Sequence, residues 1–199
     1  MLSFNPNNNT ERENYKLLIG TVIPRPIAFV TSTTTDGTVN GAPFSYFNIV
    51  SSSPPMISVS VQRKDGKRKD TARNIKHNKE FVVHIVDEEN VEKINETAAS
   101  LPPDVSEIEQ TGLTLTESSI ISVPGINEAK VRFECKLEQA IELGQSTDLL
   151  IGKIVQYHIA EEIYEEGGYI NYGKLNAMSR LAGHDYASIG EITTIKRPK

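Results

Sequence analysis

Asn40-Gly-Ala-Pro-Phe-Ser-Tyr-Phe-Asn-Ile-Val-Ser-Ser-Ser-Pro-Pro55 combines aromatic bulk with a run of small polar side chains. Phe44, Tyr46 and Phe47 give it the apolar bulk of an interior segment, which a surface loop would not carry. Asn40, Ser45, Asn48, Ser51, Ser52 and Ser53 break the regular alternation of a plain half-buried strand. Two readings follow. One is a buried strand running into a Ser/Pro turn. The other is a wall that sets backbone amides and small polar groups against a flat, largely apolar ligand.

The flanks read as short strands. Upstream, Ile27 to Ser32 is a strand entered through the extended Pro24-Arg25-Pro26. Thr35-Asp36-Gly37-Thr38 is a hairpin turn, because Asp-Gly tolerates positive φ angles. Downstream, Pro54-Pro55 ends the stretch and Met56 to Gln62 forms the next strand. Thr10, followed by Glu11, Glu13 and a Tyr15/Leu18/Ile19 face, starts a capped helix closed by Gly20. Asp70 reads as the N-cap of a helix over 71–77, Glu80 to Val86 as a strand, and Glu89 to Ala99 as a helix broken by Leu101-Pro102-Pro103-Asp104. Ser106 to Gln110 reads as a helical turn before Gly112, and Leu113 to Glu117 alternates. Ala129 to Glu138 places Val131, Phe133, Cys135 and Leu137 on one face. Leu149 to Ile159 is apolar enough to be buried on both faces. Many short strands, hairpin signals and few helices predict a mainly β protein built as a closed or nearly closed barrel.

The 199 residues suit one domain spanning 1–199, with a barrel core at about 18–160 and a peripheral C-terminal arm at about 161–199. A hydrophobic fraction of 38% and a charged fraction of 24% are those of a soluble globular chain. One cysteine, Cys135, excludes an intrachain disulfide and a Cys-rich zinc site. The N-terminus lacks a signal-peptide pattern, and no stretch approaches the roughly 18 apolar residues of a membrane helix. A cytoplasmic protein without membrane contact is the expectation.

Charge is uneven. Arg63, Lys64, Lys67, Arg68, Lys69, Arg73 and Lys76 stand against Asp65 and Asp70, a local +5 in a chain of net charge -5. A basic loop that runs into a helix N-terminus suits one phosphate group, with Thr71 as a hydroxyl donor; the alternative is a solvated basic loop. The patch has no aromatic residue for base stacking and lies on an acidic chain, so nucleic acid is not the expected partner. His77, His84, His158 and His184 lack zinc spacing, and no G-x-S-x-G, G-x-G-x-x-G or Walker sequence occurs. His84 and His158 lie in strands and read as structural. A phosphate site and an amphipathic wall, without an acid-base pair, suit an organic cofactor that brings its own reactivity.

Pro24 to Ser32, Asn40 to Asn48, Ser53-Pro54-Pro55 and Arg68 to Asn74 together resemble, in order and spacing, the flavin reductase-like family that includes flavoredoxin. The resemblance covers roughly 18–157. It implies an FMN-binding split β-barrel, usually a homodimer with FMN near the subunit interface. By motif it implies Thr31 and Ser32 near the isoalloxazine or ribityl chain. Ser45, Asn48 and the backbone of Phe44, Tyr46 and Phe47 then lie on the ring, and Ser60, Gln62 and Arg63 toward the ribityl phosphate. Lys69 and Thr71 hold the phosphate while Asp70 caps the helix. Arg180-Leu-Ala-Gly183 with Tyr186 is similar to a C-terminal family motif in which a second glycine is common where Ala182 stands. The implied activity is an NAD(P)H-dependent flavin reductase, with NADH or NADPH as co-substrate and a small-molecule acceptor. The alternatives are an FMN electron carrier served by a redox protein partner, and a non-catalytic FMN-binding module. No catalytic side chain and no metal is implied.

Overall fold

Seven of the strands are hydrogen-bonded into one antiparallel sheet whose two edge strands are consecutive in sequence. The computed structural model describes residues 1–99 and 106–198. In chain order its elements begin with α1 (Glu11–Thr21), β1 (Arg25–Pro26), β2 (Ala28–Thr33), β3 (Val39–Phe44), β4 (Phe47–Ser52) and β5 (Pro55–Gln62). There follow α2 (Asp70–Asn78), β6 (Glu80–Ile85), α3 (Val91–Glu96), α4 (Glu107–Thr111), β7 (Leu115–Thr116) and β8 (Gly125–Ile126). The last are β9 (Val131–Leu143), β10 (Thr147–Ile159), β11 (Tyr164–Glu165), β12 (Tyr169–Ile170), α5 (Tyr172–Leu175), β13 (Ser179–Arg180) and β14 (Tyr186–Ala187). The large sheet runs β3-β2-β6-β9-β10-β5-β4. Only Ser45 and Tyr46 separate β3 from β4, so the two edges must be brought together and the sheet rolls into a split barrel.

The 40–55 stretch is therefore not one strand. It supplies both edges and the corner between them. The Asp36-Gly37 hairpin forms as expected, with Gly37 at φ 95° and Ala28 to Thr33 paired against Phe44 to Val39. The barrel interior holds Val30, Phe44, Phe47, Ile57, Val59, Val61, Phe81, Val83, Cys135 and Leu150, with Ala72 and Ile75 of α2 closing it. Burial drives the Cys135 thiol pKa upward, so the thiol is an inert core group. A second cluster, including Ile27, Phe29, Val86, Ile94, Ile108 and Ile126, packs beneath α3 and α4.

Several expectations are corrected. β10 is not buried on both faces. Asp148, Leu150, Gly152 and Ile154 are buried while Lys153 and Tyr157 are exposed, as an antiparallel strand with one wet face requires. α1 has its Thr10/Glu13 capping box but runs through Gly20 to Thr21, because the Arg25 guanidinium donates to the Ile19 and Val22 carbonyls at its end. Of its apolar face only Ile19 is buried; Tyr15 and Leu18 are exposed. The N-cap of α2 is Lys69, in extended conformation, and Asp70 is the first helical residue. α3 is shorter than expected, and of the 113–117 segment only Leu115 and Thr116 form a strand, paired with β8. The break expected at 101–104 lies outside the described residues. No helix among the described residues is long and apolar enough to cross a membrane.

Both strand histidines are structural. His84 is fully buried; its Nδ1–H donates to the Phe29 carbonyl and its Nε2 accepts from the Ile126 amide. Burial pushes its pKa down to about 3, against the Phe29 carbonyl. His158 lies 2.6 Å from the buried Glu134 carboxylate, which also accepts the amides of Ser119, Ile120 and Ile121. Burial raises the Glu134 pKa, but the Ser119 amide and its other donors outweigh this and hold it low.

Two measurements check this packing. Gly41→Ala places a Cβ 2.6 Å from Phe29 Cζ and 2.8 Å from Ile108 Cγ1, so it is expected to cost about 1–3 kcal/mol in a urea titration. Gly20→Ala meets nothing within 4 Å and is expected to stabilise by about 0.5–1 kcal/mol. For His84, ¹⁵N spectra at pH 5 are expected to show a neutral ring with a bare Nε2; an imidazolium signal would refute the assignment.

Candidate functional site

The corner between β3 and β4 opens into a cleft of about 450 Å³. One side is built by Phe44, Ser45, Tyr46, Ser60, Gln62 and Lys69, all of which the sequence singles out. The other comes from α1, β1, α3 and the C-terminal hairpin: Tyr15, Arg25, Asn95, Arg180, His184 and Tyr186. Sequence reasoning gave no role to Arg25 or His184. The only sequence signal was Arg25 fixed between two prolines; its in-register pairing with Arg180 across β1 and β13 is visible only in the structure.

The local structure follows from the backbone at the corner. Ser45 and Tyr46 leave the ladder, and the Tyr46 carbonyl accepts the Ser60 amide at 2.8 Å. This brings β5 beside the corner and puts Ser60 and Gln62 on the cleft wall. The Tyr46 hydroxyl is buried without a hydrogen-bond partner among the described residues. Its pKa is raised by burial and by neighbouring Tyr15, against Arg25. An unpaired buried hydroxyl is costly unless a ligand completes it. A smaller slot of about 370 Å³ adjoins the cleft and shares Ser45, Tyr46, Ser60 and Arg25 with it. Phe47 and Asn48 line that slot, and the Asn48 Oδ1 accepts the Ile49 amide.

Other sequence-selected residues lie apart from these walls. Thr31 is buried and donates its hydroxyl to the Pro124 carbonyl at 2.7 Å. Ser32 is buried between Asn74 and Asn40. Thr71 donates to Asn40 Oδ1 at 3.0 Å, and Asn40 Nδ2 in turn donates to the Glu107 carboxylate. Through Ser32–Asn74, Thr71–Asn40 and Asn40–Glu107, α2 is tied to β2, β3 and α4. Asp70 pairs with Arg73 three residues on, in the first helical turn where a negative charge suits the helix dipole.

The basic cluster is sorted by two carboxylates. Arg63 reaches Asp148 and Glu142 at 2.9 Å, Arg68 also reaches both, and Lys76 meets Glu142 at 2.9 Å. Arg63 accordingly faces a separate groove with Gln62, Thr10 and Tyr15. Lys69 is the member that lines the cleft, with its ammonium 5.8 Å from the centre of the Phe44 ring. Burial, and then Lys64, lowers its pKa.

Among the described residues the cleft wall contains Lys69, Arg25, Arg180 and His184 and no Asp or Glu. Ile27 and Phe44 give it apolar surface. The Lys69 ammonium, the Phe44 ring beside it and the unsatisfied Tyr46 hydroxyl are a donor set that fits an anionic, planar organic cofactor.

Comparison with known proteins places the chain in a family. The model of the flavin reductase like domain matches residues 19–177. The chain is 53% identical over 204 residues to the uncharacterized protein YwrF of Bacillus subtilis (strain 168), covering 100% of both. Its structure is similar to that of nitrilotriacetate monooxygenase component B from Bacillus cereus, with TM-score 0.96, 59% identity and 98% of each chain covered. It is also similar to Pseudomonas fluorescens 2-nitrobenzoate 2-nitroreductase NbaA, with TM-score 0.91, 32% identity and 99% and 96% coverage. The chain belongs to the flavin reductase-like family.

The charge network has a pH signature. Lys76 and Arg63 pull the Glu142 pKa down to about 2, and Arg63 and Arg68 hold Asp148 low. A depressed carboxylate stabilises fully above its unfolded pKa, and that stability is lost as pH falls through the folded value. Glu142→Gln is therefore expected to lower the urea midpoint at pH 7, with the gap to the unsubstituted protein closing as pH falls from about 4.5 toward 2. A gap independent of pH would refute the network's role.

Proposed function

We propose that this member of the flavin reductase-like family is an oxidoreductase that binds FMN in the cleft and accepts reducing equivalents from NADH or NADPH. The observation that carries the reading is a cleft with no Asp or Glu among the described residues, on a chain of net charge -5, whose Lys69-bearing side is built by residues expected to meet a flavin. Bound FMN supplies the hydride-accepting and hydride-donating chemistry, which needs no protein nucleophile.

The chain's own residues have definite tasks in this reading. The Lys69 ammonium and the first free amides of α2 hold the phosphate. Phe44 gives the ring system an apolar surface, and Ser45, Ser60 and Gln62 supply polar contacts. The Tyr46 hydroxyl gains the partner it lacks in the protein alone. Phe47 and Asn48 extend the wall into the adjoining slot. Ser32 and Thr71 set the position of α2 through their buried hydrogen bonds, with Asp70 in its first turn, while Thr31 fastens β2 to the Pro124 carbonyl. Arg63 fixes the end of β5 through Asp148.

The proposed assembly is a homodimer. Leu18 and Val22 line the slot beside the cleft and are exposed, as are Ile23 just past α1 and Ile49 and Val50 on edge strand β4. An exposed apolar sheet edge is a surface that a second copy would cover. The 59% identity to a monooxygenase component B supports a partner oxygenase as the consumer of electrons.

Purified protein titrated with FMN, then mixed anaerobically with NADH or NADPH, tests the reading. Saturable flavin binding followed by bleaching is expected. Binding without bleaching would instead mark an electron carrier reduced by a protein partner, and no binding would refute both. Lys69→Ala is expected to weaken FMN binding about 10- to 100-fold, as for a lost charged hydrogen bond. Sedimentation is expected to show a dimer, and Ile49→Asp to shift it toward monomer.

A further inference from the structure

The cofactor accounts for one end of the cleft, and the positive charge at the other end is left over. β1 and β13 pair antiparallel with Arg25 directly opposite Arg180. Directly opposed side chains share one face of the pair, and like charges so placed are destabilising unless something offsets them. Both arginines line the cleft, and neither has a carboxylate within 4.0 Å among the described residues. The two are not equivalent. Arg25 is 6% exposed. Its Nη1 donates to the Ile19 and Val22 carbonyls and its Nη2 to that of Leu181, while its Nε is buried and unpaired. It is a strut with a residual charge.

Arg180 is the half-buried one. Its guanidinium stacks 4.4 Å from the centre of the Tyr186 ring and gives one bond, to the Gly183 carbonyl. Tyr186 is held in turn by Asn95 of α3 at 2.7 Å. The guanidinium is thus fixed in orientation with most of its donors unused. Asp185 on the same hairpin does not line the cleft, whereas His184 does.

We propose that Arg180, oriented by Tyr186 and supported by the charge of Arg25, is a second anion site in the cleft, for a phosphate or carboxylate of the second substrate rather than for the flavin. The inference rests on the FMN reading of the same cleft. It assigns the hairpin 179–187 to co-substrate recognition. A planar guanidinium with free donors suits the two-pronged capture of a phosphate or carboxylate.

The test uses FMN-loaded protein and two non-reducing probes, NADP⁺ for a dinucleotide phosphate and benzoate for a carboxylate, each titrated by the perturbation of flavin absorbance. In Arg180→Gln the dissociation constant of at least one probe is expected to rise tenfold or more, while FMN affinity and melting temperature stay unchanged. The probe that responds identifies which anion the site takes. Arg180→Lys keeps the charge and is expected to recover part of the loss. The inference is overturned if neither probe binds the unsubstituted holoprotein or if both bind Arg180→Gln unchanged. It is equally overturned if FMN affinity falls in step, which would make Arg180 a cofactor residue, or if both variants melt early and lose affinity alike, which would make it structural. Unsubstituted protein that takes up no FMN would instead sink the cofactor reading.

Discussion

Two residues, Ser45 and Tyr46, join the opposite edges of a seven-stranded sheet. Laid flat, seven strands at about 4.8 Å spacing would hold those edges about 29 Å apart. The chain from Phe44 to Phe47 spans at most about 11 Å. The sheet therefore has to roll, and the interior cluster around Phe44, Phe47, Val59 and Phe81 is what fills it. The same constraint explains where the site lies. A two-residue step cannot continue a hydrogen-bonded ladder around a corner, so backbone and small side chains there are free to face a ligand.

Electrostatics then selects the usable charge. Seven cations in one short segment would make an unfocused field. Glu142 and Asp148, at the facing ends of β9 and β10, hold Arg63, Arg68 and Lys76 on the outer surface. Lys69 is directed into the cleft beside Phe44. Asp148 is 1% exposed, so its pairing with the guanidiniums is what keeps a carboxylate tolerable there. The acidic partners lie some seventy residues from the basic run.

That separation explains what was legible in the sequence. Asp36-Gly37 and the Thr10 cap are local signals and appear as read, whereas the alternation of β9 is broken by Glu134, buried on the face opposite Val131 and Cys135. One wall of the cleft, from Phe44 to Lys69, was legible for the same reason. The corner was not, because Ser45 and Tyr46 look like an interruption until the sheet order is known. Nor was the sorting of the basic cluster, which depends on pairings between residues 66 to 85 positions apart. The apolar content of β10 suggested burial on two faces because composition does not reveal which face a barrel strand shows to water. Asp70 was taken for a cap on residue type alone, whereas the extended backbone at Lys69 sets the helix start one residue earlier.

Arg25 joins carbonyls of α1 to that of Leu181, 156 residues away. The cleft is consequently made from both ends of the described chain, with the barrel between them. Two of the three Arg25 bonds are local, to Ile19 and Val22, and only the bond to Leu181 needs the hairpin at 179–187. A barrel assembled up to β10 would already have its core but only half of its cleft. The cleft is therefore complete only when the hairpin at 179–187 packs against the barrel.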